Sequence, residues 1–205
     1  RVNYREGCQY SLWRSGVRCD YYLMEDALHK DFDAPKILLF AEAGTMTPDF
    51  AAQIRQKWGR DGRIIIFVGN AGYLPGGKVE DIEQITNFKL KKHNIISSGL
   101  TGLDGKVWWE PAFYAGSFPS PVFEITDKDV EVLAYYGNSD RVGAAMKKYP
   151  AHTEIYFGQP GNITPDFIRT LAKKCGITPV QQINDLCVMG GGLLEIGAMT
   201  GAGIR

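Results

Sequence analysis

Two short runs of consecutive apolar residues, Ile37-Leu38-Leu39-Phe40 and Ile64-Ile65-Ile66-Phe67-Val68, bracket a segment whose apolar positions recur every fourth residue. Continuous apolar runs describe strands covered on both faces, and a parallel pair needs a helical crossover between them. Residues 47–58 supply it, with Phe50, Ile54 and Trp58 forming one stripe. Thr47 suits the N-cap, Pro48 the first helical position and Asp49 the positive end of the helix dipole. Gly59 and Gly62 stop the helix and turn the chain into the second strand. A βαβ unit over residues 36–70 is therefore the element around which the chain is organised.

The pattern on either side extends this plan. Residues 4–14 read as a helix with Tyr4, Cys8 and Leu12 on one face, and residues 17–24 as a strand with Val17, Cys19, Tyr21 and Leu23 on one side. A doubly wound fold opens on a strand, so a helical first element suggests a domain cut from a longer polypeptide. Residues 80–86 predict a short helix with Ile82 and Ile85 inward. Residues 130–136 and 141–149 predict two strands around the turn Gly137-Asn138-Ser139-Asp140, and residues 152–157 a further strand. Thr164-Pro165-Asp166-Phe167 repeats the tetrapeptide at Thr47 and opens a second helix, with Phe167, Ile168, Leu171, Ala172 and Cys175 as its stripe. The tail, residues 186–205, carries two short strands joined through Gly190-Gly191-Gly192.

Residues 97–121 break the pattern. They hold four glycines, three prolines and a cluster of aromatics, and read as an irregular insertion with one hairpin. At 205 residues the chain is the size of one α/β domain. Its 23 basic and 23 acidic residues balance, which leaves no electrostatic footprint for nucleic acid. No apolar run approaches the roughly 20 residues that span a bilayer, so no membrane partner is expected. The four cysteines (Cys8, Cys19, Cys175, Cys187) are far apart and read as buried thiols.

Open α/β sheets bind ligands beyond the carboxyl ends of their strands. The loop after Val68, from Gly69 to Gly77, is the natural place for a nucleophile, but it offers Asn70 and Tyr73 and no serine or cysteine. Asn70 can cap the following helix or bind a ligand. The glycine spacing matches neither a dinucleotide nor a P-loop fingerprint, and Val79 stands where the hydroxyl after Gly77-Lys78 would be. His29, His93 and His152 have no ligand partners at metal spacing. No cofactor, metal site or catalytic residue is expected. His152, ahead of a strand, is either a base or a structural histidine. The aromatic cluster Trp108, Trp109, Phe113, Tyr114 and Phe118 reads as an interface, a sugar-stacking surface or a satellite core.

The order of pieces resembles a known family. A helix ending in Gly16 is followed by Val17-Arg18-Cys19-Asp20-Tyr21-Tyr22-Leu23-Met24-Glu25-Asp26, then by the βαβ unit, a strand pair and His152-Thr153-Glu154-Ile155-Tyr156-Phe157-Gly158. The helix ending in Cys175-Gly176-Ile177 and the tail Gly192-Leu193-Leu194-Glu195-Ile196-Gly197-Ala198 complete the likeness to the beta-galactosidase trimerisation domain of glycoside hydrolase family 42. The resemblance implies a flavodoxin-like, class I glutamine-amidotransferase-like three-layer fold with a mainly parallel central sheet. It implies a non-catalytic domain whose hydrolytic glutamates lie in a preceding TIM barrel. Its partners would be that barrel or further copies in a homo-oligomer, where the domain helps wall a sugar cleft. Two other readings stay open: a carbohydrate-binding module acting through Trp108 and Trp109, and an amidotransferase-like hydrolase with an unrecognised nucleophile near His152.

Overall fold

The computed structural model describes residues 4–41, 43–73, 77–94, 99–108, 121–137, 139–159, 163–190 and 193–197. Helix α1 (Tyr4–Ser15) leads into an extended segment and a 3-10 helix (Met24–Leu28). The βαβ unit follows as β1 (Ile37–Phe40), α2 (Pro48–Trp58) and β2 (Arg63–Val68), its strands parallel with Ile37 opposite Ile64 and Phe40 opposite Phe67. Helix α3 (Val79–Thr86) leads to β3 (Leu90–His93), then to the hairpin β4 (Leu100–Gly102) and β5 (Val107–Trp108). Strands β6 (Val122–Ile125), β7 (Glu131–Tyr136), β8 (Val142–Lys148) and β9 (His152–Phe157) complete the main sheet. Helix α4 (Pro165–Lys174) precedes a separate hairpin of β10 (Leu186–Gly190) and β11 (Leu193–Gly197).

The main sheet runs in the order β1-β2-β9-β8-β7-β4-β5, with β6 on β8 and β3 on β6. Strand alternation splits the core in two. Ile65, Phe67 and Tyr156 face α2 and α3, where they meet Ile54, Trp58, Ile82 and Ile85. Ile64, Ile66, Val68, Ile155 and Phe157 face α1 and α4, where they meet Cys8, Ile168, Leu171 and Ala172. The layers are thus helices, sheet, helices, as an α/β fold requires. Helices α2 and α4 begin alike: the Thr47 and Thr164 hydroxyls accept the amides of Phe50 and Phe167 at 3.2 Å. Gly16 ends α1 at φ +67°, and Gln181 packs so tightly on its α-carbon that a side chain there would collide.

Two expectations are corrected. The sheet is mixed rather than mainly parallel: β1, β2 and β9 are parallel, and every other described pairing in it is antiparallel. Between α3 and β9 the described chain contains no helix, and without a crossover neighbouring strands can pair only antiparallel. Residues 17–24 do not form a strand. They have no sheet neighbour among the described residues; Val17 and Cys19 turn inward, but Tyr21, Tyr22 and Leu23 are all exposed, so the alternation stops after Cys19. Strands β3 and β6 were not expected. Lys91 and Lys92 mask the apolar signal of β3, which exists because β6 pairs with it from Leu90–Ile125 to His93–Val122.

Candidate functional site

The carboxyl ends of β1, β2 and β9 lie side by side, which makes them the place to look for a site. There the Gly69 amide donates to the Phe157 carbonyl at 2.7 Å, and the Gly72 amide to the Ala43 carbonyl at 2.8 Å. Asn70 sits half-buried in this turn, its carbonyl accepting the Tyr73 amide at 2.8 Å. It does not cap α3, whose N-cap is Lys78 with the Asp81 carboxylate accepting the Lys78 amide at 3.0 Å. The N-cap stands eight residues beyond Asn70 in the chain. Tyr73 turns inward: its ring meets Phe123 edge-on at 5.3 Å, and its hydroxyl accepts the Lys92 ammonium at 2.7 Å.

Strand β9 contributes a residue that sequence reasoning missed. Gly158 packs so closely on the Phe123 carbonyl and the Tyr136 hydroxyl that a side chain there would collide. Gln159 follows it, fully buried, and neither oxygen nor nitrogen of its carboxamide meets a hydrogen-bond partner. Its signal in the sequence is slight: it is the first polar side chain beyond the apolar end of a parallel strand. No serine or cysteine stands among the described residues of these strand ends.

The ionisable groups gather at the opposite end of the sheet. Glu154 of β9 is completely buried, and Arg55 of α2 reaches it with both arms of its guanidinium, Nε to Oε1 at 2.7 Å and Nη2 to Oε2 at 3.1 Å. Arg55 also donates to the Ile85 carbonyl of α3 and lies over the Phe67 ring at 5.5 Å. His152 Nε2 lies 3.0 Å from Glu154 Oε1, and its ring stacks on Tyr149 at 4.6 Å and 5°. Burial pushes the Tyr149 phenol up, and the Glu154 charge pushes it further the same way. This array ties α2 and α3 to the central strand, and each group in it is engaged with another. A nucleophile beside His152 is missing among the described residues; Cys175 caps the C-terminus of α4 and Cys187 is buried in β10. Burial raises both thiols, which disfavours the reactive thiolate.

Trp108 packs inward, its ring 6.3 Å from Phe157 and 5.3 Å from Phe167, over the α4 side of the core. Trp109, Phe113, Tyr114 and Phe118 lie outside the described residues. His93 is paired with Glu124 at 2.6 Å and exposed His29 lies 3.7 Å from Asp31. No group of three metal-ligating side chains, and no helix long and apolar enough to cross a membrane, occurs among the described residues.

Neither a family model nor a curated protein matches the chain. Its fold is shared with part of several solved beta-galactosidases. The enzyme from Bacillus circulans sp. alkalophilus aligns over 93% of this chain and 30% of its own, with TM-score 0.63 and 14% identity. The enzyme from the haloarchaeon Halorubrum lacusprofundi aligns over 95% and 29%, with TM-score 0.63 and 11% identity. Gan42B, a GH42 beta-galactosidase from G. stearothermophilus, aligns over 88% and 27%, with TM-score 0.58 and 14% identity. The chain therefore spans less than a third of the length of the chains it resembles.

Proposed function

We infer that the chain is an assembly and cleft-shaping domain of a larger beta-galactosidase-like glycoside hydrolase, equivalent to the trimerisation domain of family 42, and that it supplies no catalytic group itself. The observation that carries this reading is the alignment of nearly the whole chain with under a third of each beta-galactosidase. The strand-end loops favour it too: among the described residues, Asn70, Tyr73 and Gln159 are the polar side chains that β2 and β9 place there, and none is a serine or cysteine. The buried Arg55–Glu154–His152 array is used for packing.

The test is activity. The expected outcome is that the complete polypeptide hydrolyses a chromogenic galactoside and the 205-residue chain gives only background rates with galactosides and with glutamine. Turnover by the short chain that disappears when Cys175, Cys187 or His152 is replaced would overturn the reading. So would a complete polypeptide inert towards glycosides.

A further inference from the structure

Among the described residues, exposed apolar side chains are most frequent in one stretch of the chain. Of eleven exposed large apolar side chains among the described residues, six lie between residues 180 and 196. The hairpin β10–β11 carries the largest of them, with Leu193 79%, Leu194 54% and Ile196 56% exposed. Strand β10 is anchored, because Cys187 is buried and the strand packs on α1. Strand β11 pairs with β10 alone among the described residues, so its far edge presents unpaired backbone groups. The register sets Ile196 beside Cys187 and Leu194 beside Met189, on one face, with Glu195 beside Val188 on the other. The face that β10 buries thus continues across β11 with Leu194 and Ile196 left exposed. A two-stranded hairpin is marginal by itself, and an apolar edge strand is a template for a further strand.

We propose that β11 is an internal strand of a larger sheet, completed by a β-strand from the same polypeptide outside residues 1–205. The inference rests on the reading above that the chain is one domain of a longer protein. Area decides against a second copy. On that face the exposed parts of Leu194 and Ile196 amount to on the order of 200 Å² per copy, so two copies face to face bury on the order of 400 Å², short of the roughly 1,200 Å² of a stable interface. A strand of the same polypeptide needs no such area, because covalent linkage has already removed most of the translational cost of association. The beta-galactosidases that share this fold have chains more than three times as long, which supplies such a segment. The occupant is an alternating strand: apolar residues on the Leu194–Ile196 face and a basic or hydroxyl residue opposite Glu195.

The experiment is photocross-linking in the complete polypeptide carrying Leu193→p-benzoylphenylalanine, with isotope-labelled and unlabelled copies mixed before illumination. Leu193 is the most exposed of these side chains, and the substitution leaves the core untouched. The expected result is a cross-link within one polypeptide, from position 193 to a segment outside residues 1–205. A cross-link between labelled and unlabelled copies, a cross-link confined to residues 1–205, or none at all overturns the inference. Any of these leaves the galactoside assay to decide the domain assignment separately.

Discussion

Glu154 shows how much one residue can demand of its neighbours. A carboxylate with no exposure is tolerated because Arg55 meets it with two parallel bonds and His152 stands 3.0 Å from the same oxygen. Removing one partner of such a pair leaves a buried charge uncompensated, so Arg55→Ala should cost about 3–5 kcal/mol in denaturant melts. The double change Arg55→Met with Glu154→Leu should cost less than the single one, since no charge is stranded; a larger loss would show the pair stabilises beyond its own compensation. Gln159 is the opposite case, a buried carboxamide without partners. Gln159→Met removes that penalty at similar volume and should raise stability by about 1–2 kcal/mol, read as a higher Tm.

Alkaline pH should unfold the protein through groups that burial holds neutral. Tyr156 donates to the Gly69 carbonyl at 2.7 Å and Tyr136 to the Phe123 carbonyl at 2.9 Å, and burial pushes both phenols above their ordinary 10.0. Burial, with the Asp20 charge added, pushes the Cys19 thiol from 9.0 up to about 12. In each case the unfolded chain releases its proton first. Their contribution is complete below pH 9 and lost as pH climbs from about 9 to 12 and beyond. Melts across that range should show a falling Tm whose slope is shallower in Tyr156→Phe; a flat profile contradicts the placement of these side chains.

At the scale of elements, α2 is the best-determined piece. Ala51 and Ile54 are completely buried and Trp58 nearly so, its indole donating to the Ala27 carbonyl at 2.8 Å. Ile54→Ala should cost about 2–5 kcal/mol by transfer and cavity terms together. A loss well under 1 kcal/mol would put the wrong face inward. Hairpin β4–β5 carries Trp108 onto Phe157 and Phe167, so Trp108→Ala should also lower stability, by about 2–4 kcal/mol. Gly102 is part of that packing, because a side chain there would press on the Trp108 indole. A substitution at Trp108 that changed assembly and left the Tm alone would contradict this placement.

For the whole molecule, the central fact is that one strand belongs to both cores. Ile155 and Phe157 of β9 face α1 and α4, while Glu154 and Tyr156 face α2 and α3. Neither helical layer can detach without exposing the same strand. Unfolding followed by Trp58 fluorescence and by exchange of α4 amides should therefore give coincident transitions, in wild type and in Leu171→Ala alike. Separate midpoints would mean that the two faces fold independently.

What the sequence determined alone was local. Thr-Pro-Asp-Phe starts a helix wherever it stands, because a hydroxyl acceptor, a fixed φ and a negative charge all act within one turn. The apolar runs of β1 and β2 likewise announce a strand covered on both sides, and their parallel pairing follows from the helix between them. The strand reading of residues 17–24 failed because alternation proposes a strand and only a neighbouring strand makes one. β3, rich in lysine, succeeded because β6 was there to pair with it. Tertiary structure also decided the candidate site. Asn70 is not a cap because Lys78 takes that position on α3, His152 gained Glu154, itself held by Arg55, as a neighbour, and Gln159 became visible only as a buried side chain without partners. Each depends on what a residue meets across the fold, and spacing along the chain carries no record of that.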